Sequence, residues 1–198
     1  PLERGVLGLC RPLVVGRFSL GPLLLGLPAG GAATLRTAAA RGLGGLREDL
    51  GIEELMPYFQ RLAAESIAFA GAAVKAMRPR KAGRVVFGSS SGPIGGIPGF
   101  SAYAAARAAV NGVVRTLALE VAGDGISVNA VAANYIQTET YYPKALLEDP
   151  VKGAKLLARV PMGRLGAAEE VAAVVELLAL GQSGFVSGQV IPISGAWC

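Results

Sequence analysis

The 198-residue chain contains no histidine. That removes every His-based triad, every imidazole-ligated metal and the side chain whose charge changes near neutral pH. Proton chemistry is left to tyrosine, lysine, cysteine and the carboxylates, and no metal site is expected. Cysteine is nearly as scarce. Cys10 and Cys198 stand at opposite ends, so there is neither a disulfide framework nor a metal-binding spacing, and the usage fits a reducing, cytoplasmic setting. Charged residues make up 17% against 52% hydrophobic, which excludes a disordered chain. The net charge of +5 is mild, with no dense Lys/Arg run broken by aromatics, so a nucleic-acid partner is not expected. A long unbroken apolar run is missing too. Residues 18–35 carry no charge, but glycine and proline punctuate them, which argues against a membrane span. Arg11 and Arg17 ahead of this stretch, and the small residues 29–33 within it, admit a signal-peptide reading.

What is present is enough chain for one domain, 1–198, with a real core, and 28 glycines for tight turns. Its two parts differ in texture. Residues 1–50 are rich in Gly, Leu, Arg and Pro, lack lysine and hold no sustained period. Residues 13–15 and 23–25 are each apolar enough to seed a short buried strand, but glycine and proline interrupt both. From Gly51 the pattern is regular. A long helix is expected over 52–77, with Pro57 near its start or opening a new helix, and a basic end at 78–81 that suits the helix dipole. A buried strand follows at 84–87, then a Gly/Ser/Pro loop at 88–100 and an alanine-rich helix at 102–121. A strand at 127–131 leads into a loop at 133–143. A short helix at 150–159, a turn at 161–166, a helix at 167–180 and a last strand at 189–193 complete the chain. Strands alternating with helices predict an α/β fold, a Rossmann-like doubly wound parallel sheet with helices on both faces and right-handed crossovers.

Chemistry concentrates at three residues. Ser90 lies just past a buried strand, Tyr103 near the start of the next helix, and Arg107 one turn further on the same helix face. A free phenol titrates near about 10, too high for a base at neutral pH. A guanidinium fixed within about 4–6 Å favours the phenolate. Ser90, at the carboxyl end of the sheet where α/β ligands bind, is placed to hydrogen-bond a substrate oxygen while Tyr103 handles its proton.

With Gly92, Gly96 and Pro98-Gly99 between them, Ser89-Ser90 and Tyr103 resemble the signature of short-chain dehydrogenases/reductases. That family normally has lysine where this chain has Arg107. Tyr-x3-Arg resembles the halohydrin dehalogenases, relatives that have lost nicotinamide binding and use the freed space for a halide. Ala133-Asn134 in place of a Pro-Gly, Asn134-Tyr135, Tyr141-Tyr142-Pro143, and Leu62 where dehydrogenases keep an asparagine are further points of likeness. The resemblance covers about residues 52–198. It implies that Tyr103 removes the hydroxyl proton of a vicinal halohydrin, with Ser90 bonded to the same oxygen. The alkoxide then displaces halide to form an epoxide, and small anions open epoxides in reverse. The halide would rest on backbone N–H groups of residues 133–136, namely Ala133, Asn134, Tyr135 and Ile136, with Tyr142 and Trp197 as pocket walls. No cofactor is implied. The helices at 52–77 and 102–121 would pair copies into a dimer or tetramer.

Other readings stand beside this one. Asn134 also suits a turn cap, and Tyr135, Tyr141, Tyr142 and Trp197 suit packing or subunit contact. An NAD- or NADP-dependent oxidoreductase would use Arg107 in the lysine role, with Thr138 approaching the cofactor. A non-catalytic, incomplete chain is the third reading. The resemblance implies a fuller amino-terminal βαβ unit than residues 1–50 offer, and no G-x-G-x-x-G follows a strand. Phe18 is the candidate for the aromatic residue which that unit contributes to the halide pocket. A truncated start, or a shifted reading frame of a GC-rich gene, accounts for such text.

Overall fold

Val85, Val86 and Phe87 put bulky side chains on alternate faces of a strand, so both faces need a cover. In the computed structural model, which describes residues 51–139, 141–181 and 183–198 together with the strand at 13–15, they lie in β2 (Gly83–Ser90). β1 (Leu13–Val15) pairs with β2 on one side and β3 (Ile126–Ala133) on the other, and β4 (Val190–Ile193) pairs with β3. All three pairings are parallel and the order is β1-β2-β3-β4. Residues 23–25, the stretch 18–35 including Phe18, and Cys10 lie outside the described residues.

The long helix at 52–77 forms as one run with a modified middle. α1 (Ile52–Phe59) passes through a π-helical turn (Gln60–Ala64) into α2 (Glu65–Met77). Pro57 sits inside α1 rather than opening a new helix. Its missing N–H frees the ladder locally, and the π turn that follows buries Leu62 and Ala63. After β2 come a single turn, α3 (Gly92–Gly95), and α4 (Ser101–Val121). Between β3 and β4 lie α5 (Lys144–Glu148), α6 (Pro150–Leu157) and α7 (Ala168–Ala179). Gly125 turns the chain from α4 into β3 at φ 68°, and a Cβ there would lie 2.3 Å from the Lys81 carbonyl oxygen, so only glycine fits.

The core has two sides. Val85, Phe87, Val128 and Ala130 of the sheet meet Val74 and Met77 of α2 and Val110 and Val114 of α4. Val86 and Val131 on the opposite face meet Val171 and Leu178 of α7. Burying each such aliphatic side chain contributes roughly 1.5–3 kcal/mol. The expected parallel sheet with helices on both faces is therefore present. The expectation of uniformly right-handed crossovers fails. The chain steps from β2 to β3 to β4 in one direction, yet α4 and α7 cover opposite faces. The two crossovers must have opposite hands. Among the described residues, no helix is long and apolar enough to cross a membrane.

Candidate active site

Strand pairing carries β2 further than its apolar run, because β3 stays in register alongside it up to Ser90↔Ala133. Three serines at this end have three duties. The Ser89 hydroxyl donates to Asn111 Oδ1 at 2.6 Å, tying β2 to α4, and the Ser91 hydroxyl donates to the Ala132 carbonyl, tying it to β3. Ser90, only 4% exposed, accepts the Gly92 N–H at 3.0 Å. That bond occupies a lone pair of Oγ and leaves the hydroxyl hydrogen for an incoming oxygen.

Tyr103 stands in the first turn of α4 and Arg107 one turn later. Arg107, 7% exposed as a residue, donates from Nη1 to the Gly88 carbonyl at 3.0 Å, two residues before Ser90. Its Cζ lies 5.5 Å from the centre of the Tyr103 ring. Phe100 also meets that ring, edge-on, at 6.3 Å between centroids. One arginine therefore ties the tyrosine's helix to the serine's strand while setting a positive charge against the phenol ring. Arg107 Nε is buried and has no partner.

At the end of β3 the chain bends sharply. The Asn134 N–H donates to the Ile193 carbonyl at 3.0 Å and the Tyr135 N–H to Asn134 Oδ1 at 2.9 Å. Two of the main-chain donors expected to hold a halide over residues 133–136 are thus already engaged. Tyr135 takes the left-handed conformation at φ 55°, which for a bulky residue stores about 1–3 kcal/mol of strain. Its ring stacks with Tyr142 at 6.1 Å and meets Trp197 edge-on at 5.6 Å. Tyr135, Tyr142 and Trp197 are brought together as one aromatic wall. Thr138 shapes the turn behind it, accepting the Tyr141 N–H at Oγ1 and the Tyr142 N–H at its carbonyl. Burial, and then neighbouring Tyr135, push the Tyr142 phenol up to about 12. The Tyr141 phenol is pushed up by burial and by Tyr103, against a lowering by Arg107. Both stay protonated at neutral pH and are unsuited to act as bases.

Asn134 Nδ2 is also buried without a partner. A nicotinamide nucleotide is rich in hydrogen-bond acceptors in its carboxamide, ribose and phosphates. Two unpartnered buried donors, Arg107 Nε and Asn134 Nδ2, fit the approach of such a group, since an unmade buried bond is costly until a ligand supplies the acceptor. A separate cavity of about 260 Å³, lined by Asn134, Tyr135, Ile136, Arg164, Glu170 and Ser194 among others, does not reach Ser90, Tyr103 or Arg107. Leu62 is buried in the π turn.

Comparison with known proteins agrees with this geometry at the level of family. A family model described as enoyl-(acyl carrier protein) reductase matches residues 39–196. A 3-oxoacyl-(acyl-carrier-protein) reductase FabG of Salmonella typhimurium is 39% identical over 125 residues, which is 63% of this chain and 49% of that protein. The chain spans about half the length of the curated relatives it matches. Among solved structures, one titled as a dehalogenation enzyme superposes with a TM-score of 0.73 at 34% identity, covering 85% of this chain and 74% of that one. ElxO with NADP bound superposes at 0.70 with 27% identity, covering 77% of this chain and 61% of that one. The expectation that no cofactor is involved is overturned by these likenesses. The matched curated relative is a reductase, and the ElxO structure carries NADP.

Proposed function

Because the chain belongs to the short-chain dehydrogenase/reductase family, we propose that it is an NAD(P)-dependent oxidoreductase that interconverts a small carbonyl compound and its alcohol. The state of residues 133–136 carries this reading. The N–H groups of Asn134 and Tyr135 are engaged within the protein, so two of the four main-chain donors expected for a halide are already taken. Asn134 Nδ2 and Arg107 Nε remain as buried donors for ligand oxygens.

In the reductive direction the substrate carbonyl accepts bonds from the Ser90 hydroxyl and the Tyr103 phenol. As negative charge gathers on that oxygen, Tyr103 passes its proton to it. Arg107, fixed by the Gly88 carbonyl, stabilises the phenolate left behind. A bound reduced nicotinamide supplies the hydride, with Arg107, Asn134 and Thr138 as the residues of this segment that would hold it. The aromatic cluster of Tyr135, Tyr142 and Trp197 would offer an apolar substituent of the substrate a surface to pack on.

A second reading keeps Ser90 and Tyr103 but makes the product an epoxide by displacement of a neighbouring halide. Arg107 in place of lysine favours it, as do the Asn134-Tyr135 pair and the likeness to a dehalogenation enzyme. The deciding experiment runs two assays on the purified protein. Consumption of NADPH that depends on an added ketone or aldehyde supports the oxidoreductase. Halide release from a vicinal bromohydrin without added nucleotide would overturn it.

The oligomer is also part of the proposal. A groove between α2 and α4, lined by Ile67, Gly71, Ala109, Gly112 and Leu117 among others, has open space above Gly71 and Gly112. Light scattering is expected to give a dimer or tetramer, and Gly112→Arg is expected to shift it toward the monomer.

A further inference from the structure

Residues 134–136 hold a strained tyrosine beside a cavity, so close packing alone does not keep them in place. The Gly166 N–H donates to the Tyr135 carbonyl at 2.9 Å, and the Gly166 carbonyl accepts the Gln137 N–H at 2.8 Å. These bonds make a single parallel bridge between Ile136 and Gly166. The bridge is close-packed, since a Cβ at 166 would lie 2.7 Å from Ile136 Cδ1 and would force the end of that side chain to move. The bridge positions the segment only as well as Gly166 is itself held.

We propose that Arg164 and Glu170 are positioning residues for the active site, their ion pair bracing the Gly166 turn and, through it, Asn134 and Tyr135. Glu170 is the third residue of α7. Its Oε1 accepts from Arg164 Nη2 at 2.7 Å, and its Oε2 accepts from Arg164 Nη1 and from the Ala167 N–H, both at 2.8 Å. Arg164 Nη1 also donates to the Leu165 carbonyl at 3.1 Å. Residues 164 to 167 are thus fastened at both ends onto the start of α7, with Gly166 between the fastenings. The two-pronged geometry fixes orientation as well as distance. Arg164 and the Ala167 N–H hold the Glu170 carboxyl down at about 2, so the brace is charged at any ordinary assay pH.

The side chains are 57% and 44% exposed, and exposed ion pairs add little to global stability. The consequence of the pair is therefore local. Its effect on turnover rests on the oxidoreductase reading, whereas its effect on the segment does not.

The sole tryptophan supplies the probe, because the Trp197 ring lies 5.6 Å from Tyr135. The experiment compares wild type with Glu170→Gln, Arg164→Met and the double variant, well below the unfolding temperature. Acrylamide quenching of Trp197 is expected to rise by about twofold in each single variant. The double variant should be no worse than either, as for two halves of one contact. With NADPH and a carbonyl substrate, kcat is expected to fall about tenfold to a hundredfold, and the Kd for NADPH to rise, since Asn134 is among the residues that would hold the nucleotide. Arg164→Lys, which keeps the charge and loses the fork, should fall in between. Unchanged quenching and kcat, with only a lower melting temperature, would reduce the pair to a helix-end cap and overturn the proposal. If the wild type consumes no NADPH, the oxidoreductase reading fails, and quenching alone decides the brace.

Discussion

Tyr103→Phe will lower turnover by about 10²–10⁴-fold, the range a positioned general acid or base supplies, and will leave the fold intact. Phenylalanine keeps the ring that Phe100 meets edge-on and that Arg107 approaches at 5.5 Å. It removes only a hydroxyl that bonds to no described residue, so no buried partner is left unmade. The change therefore separates chemistry from stability. Steady-state kinetics with NADPH and a carbonyl substrate, beside a thermal melt and nucleotide binding, should show a collapsed kcat with the other two unmoved. Full turnover in the variant would move proton transfer off Tyr103. Tyr141 and Tyr142 are poor replacements because burial keeps both protonated.

Arg107→Met gives the second large loss. Methionine fills part of the space of the arginine stem but removes the charge beside Tyr103 and the donor to the Gly88 carbonyl. Turnover should drop by about a hundredfold, as when one preorganised electrostatic group is deleted. Stability should drop by about 1–3 kcal/mol for the unsatisfied carbonyl, read from the urea midpoint. Arg107→Lys is the sharper comparison. Lysine keeps the charge, lacks the planar fork, and is the residue usual in the family that this chain resembles in Ser90 and Tyr103. An oxidoreductase is expected to keep NADPH-dependent turnover within about tenfold on that change. A protein that instead released halide, and stopped doing so as Arg107→Lys, would match the dehalogenase reading.

Much of the architecture was legible because periodicity and tertiary need coincide. The helix at 52–77, the strand at 127–131 and the helix at 167–180 were expected and form as α1–α2, β3 and α7 with small shifts at their ends. The short strand at 13–15 also forms. What the sequence concealed depends on neighbours. Gly88-Ser89-Ser90 reads as loop, since glycine and serine are poor strand formers, but pairing with β3 overrides that preference. The one-turn helix after it, α3, and α5 are too short to show a period. Ser90, Tyr103 and Arg107 are singled out by their spacing and the family resemblance; the structure brings Arg107 against the Tyr103 ring, and their catalytic roles are proposed. The engaged N–H groups of Asn134 and Tyr135 could not be foreseen, because one donates to Ile193 across the sheet. From the sequence alone, Glu170 is no more than a favourable charge in the first turn of a helix. A glutamate in the third helical position, three residues after Ala167, was the local signal for a bond back to that N–H. Its bond to Arg164 needed the turn itself.

The opposed crossovers bear on how quickly this molecule is made. In about 98% of parallel connections the chain returns with one hand, because strand twist and helix favour it. Here one of two successive returns goes against that bias. β4 can dock only after residues 134–189 have travelled round the unfavoured or the favoured side of the sheet, so its pairing with β3 is a late, long-range event with a large loop-closure cost. The Asn134 N–H bond to Ile193 and the Tyr135–Trp197 contact both wait on that docking. Refolding followed by Trp197 emission should therefore lag refolding followed by helix signal, with a sheet edge open in the interval and association between chains as the competing fate.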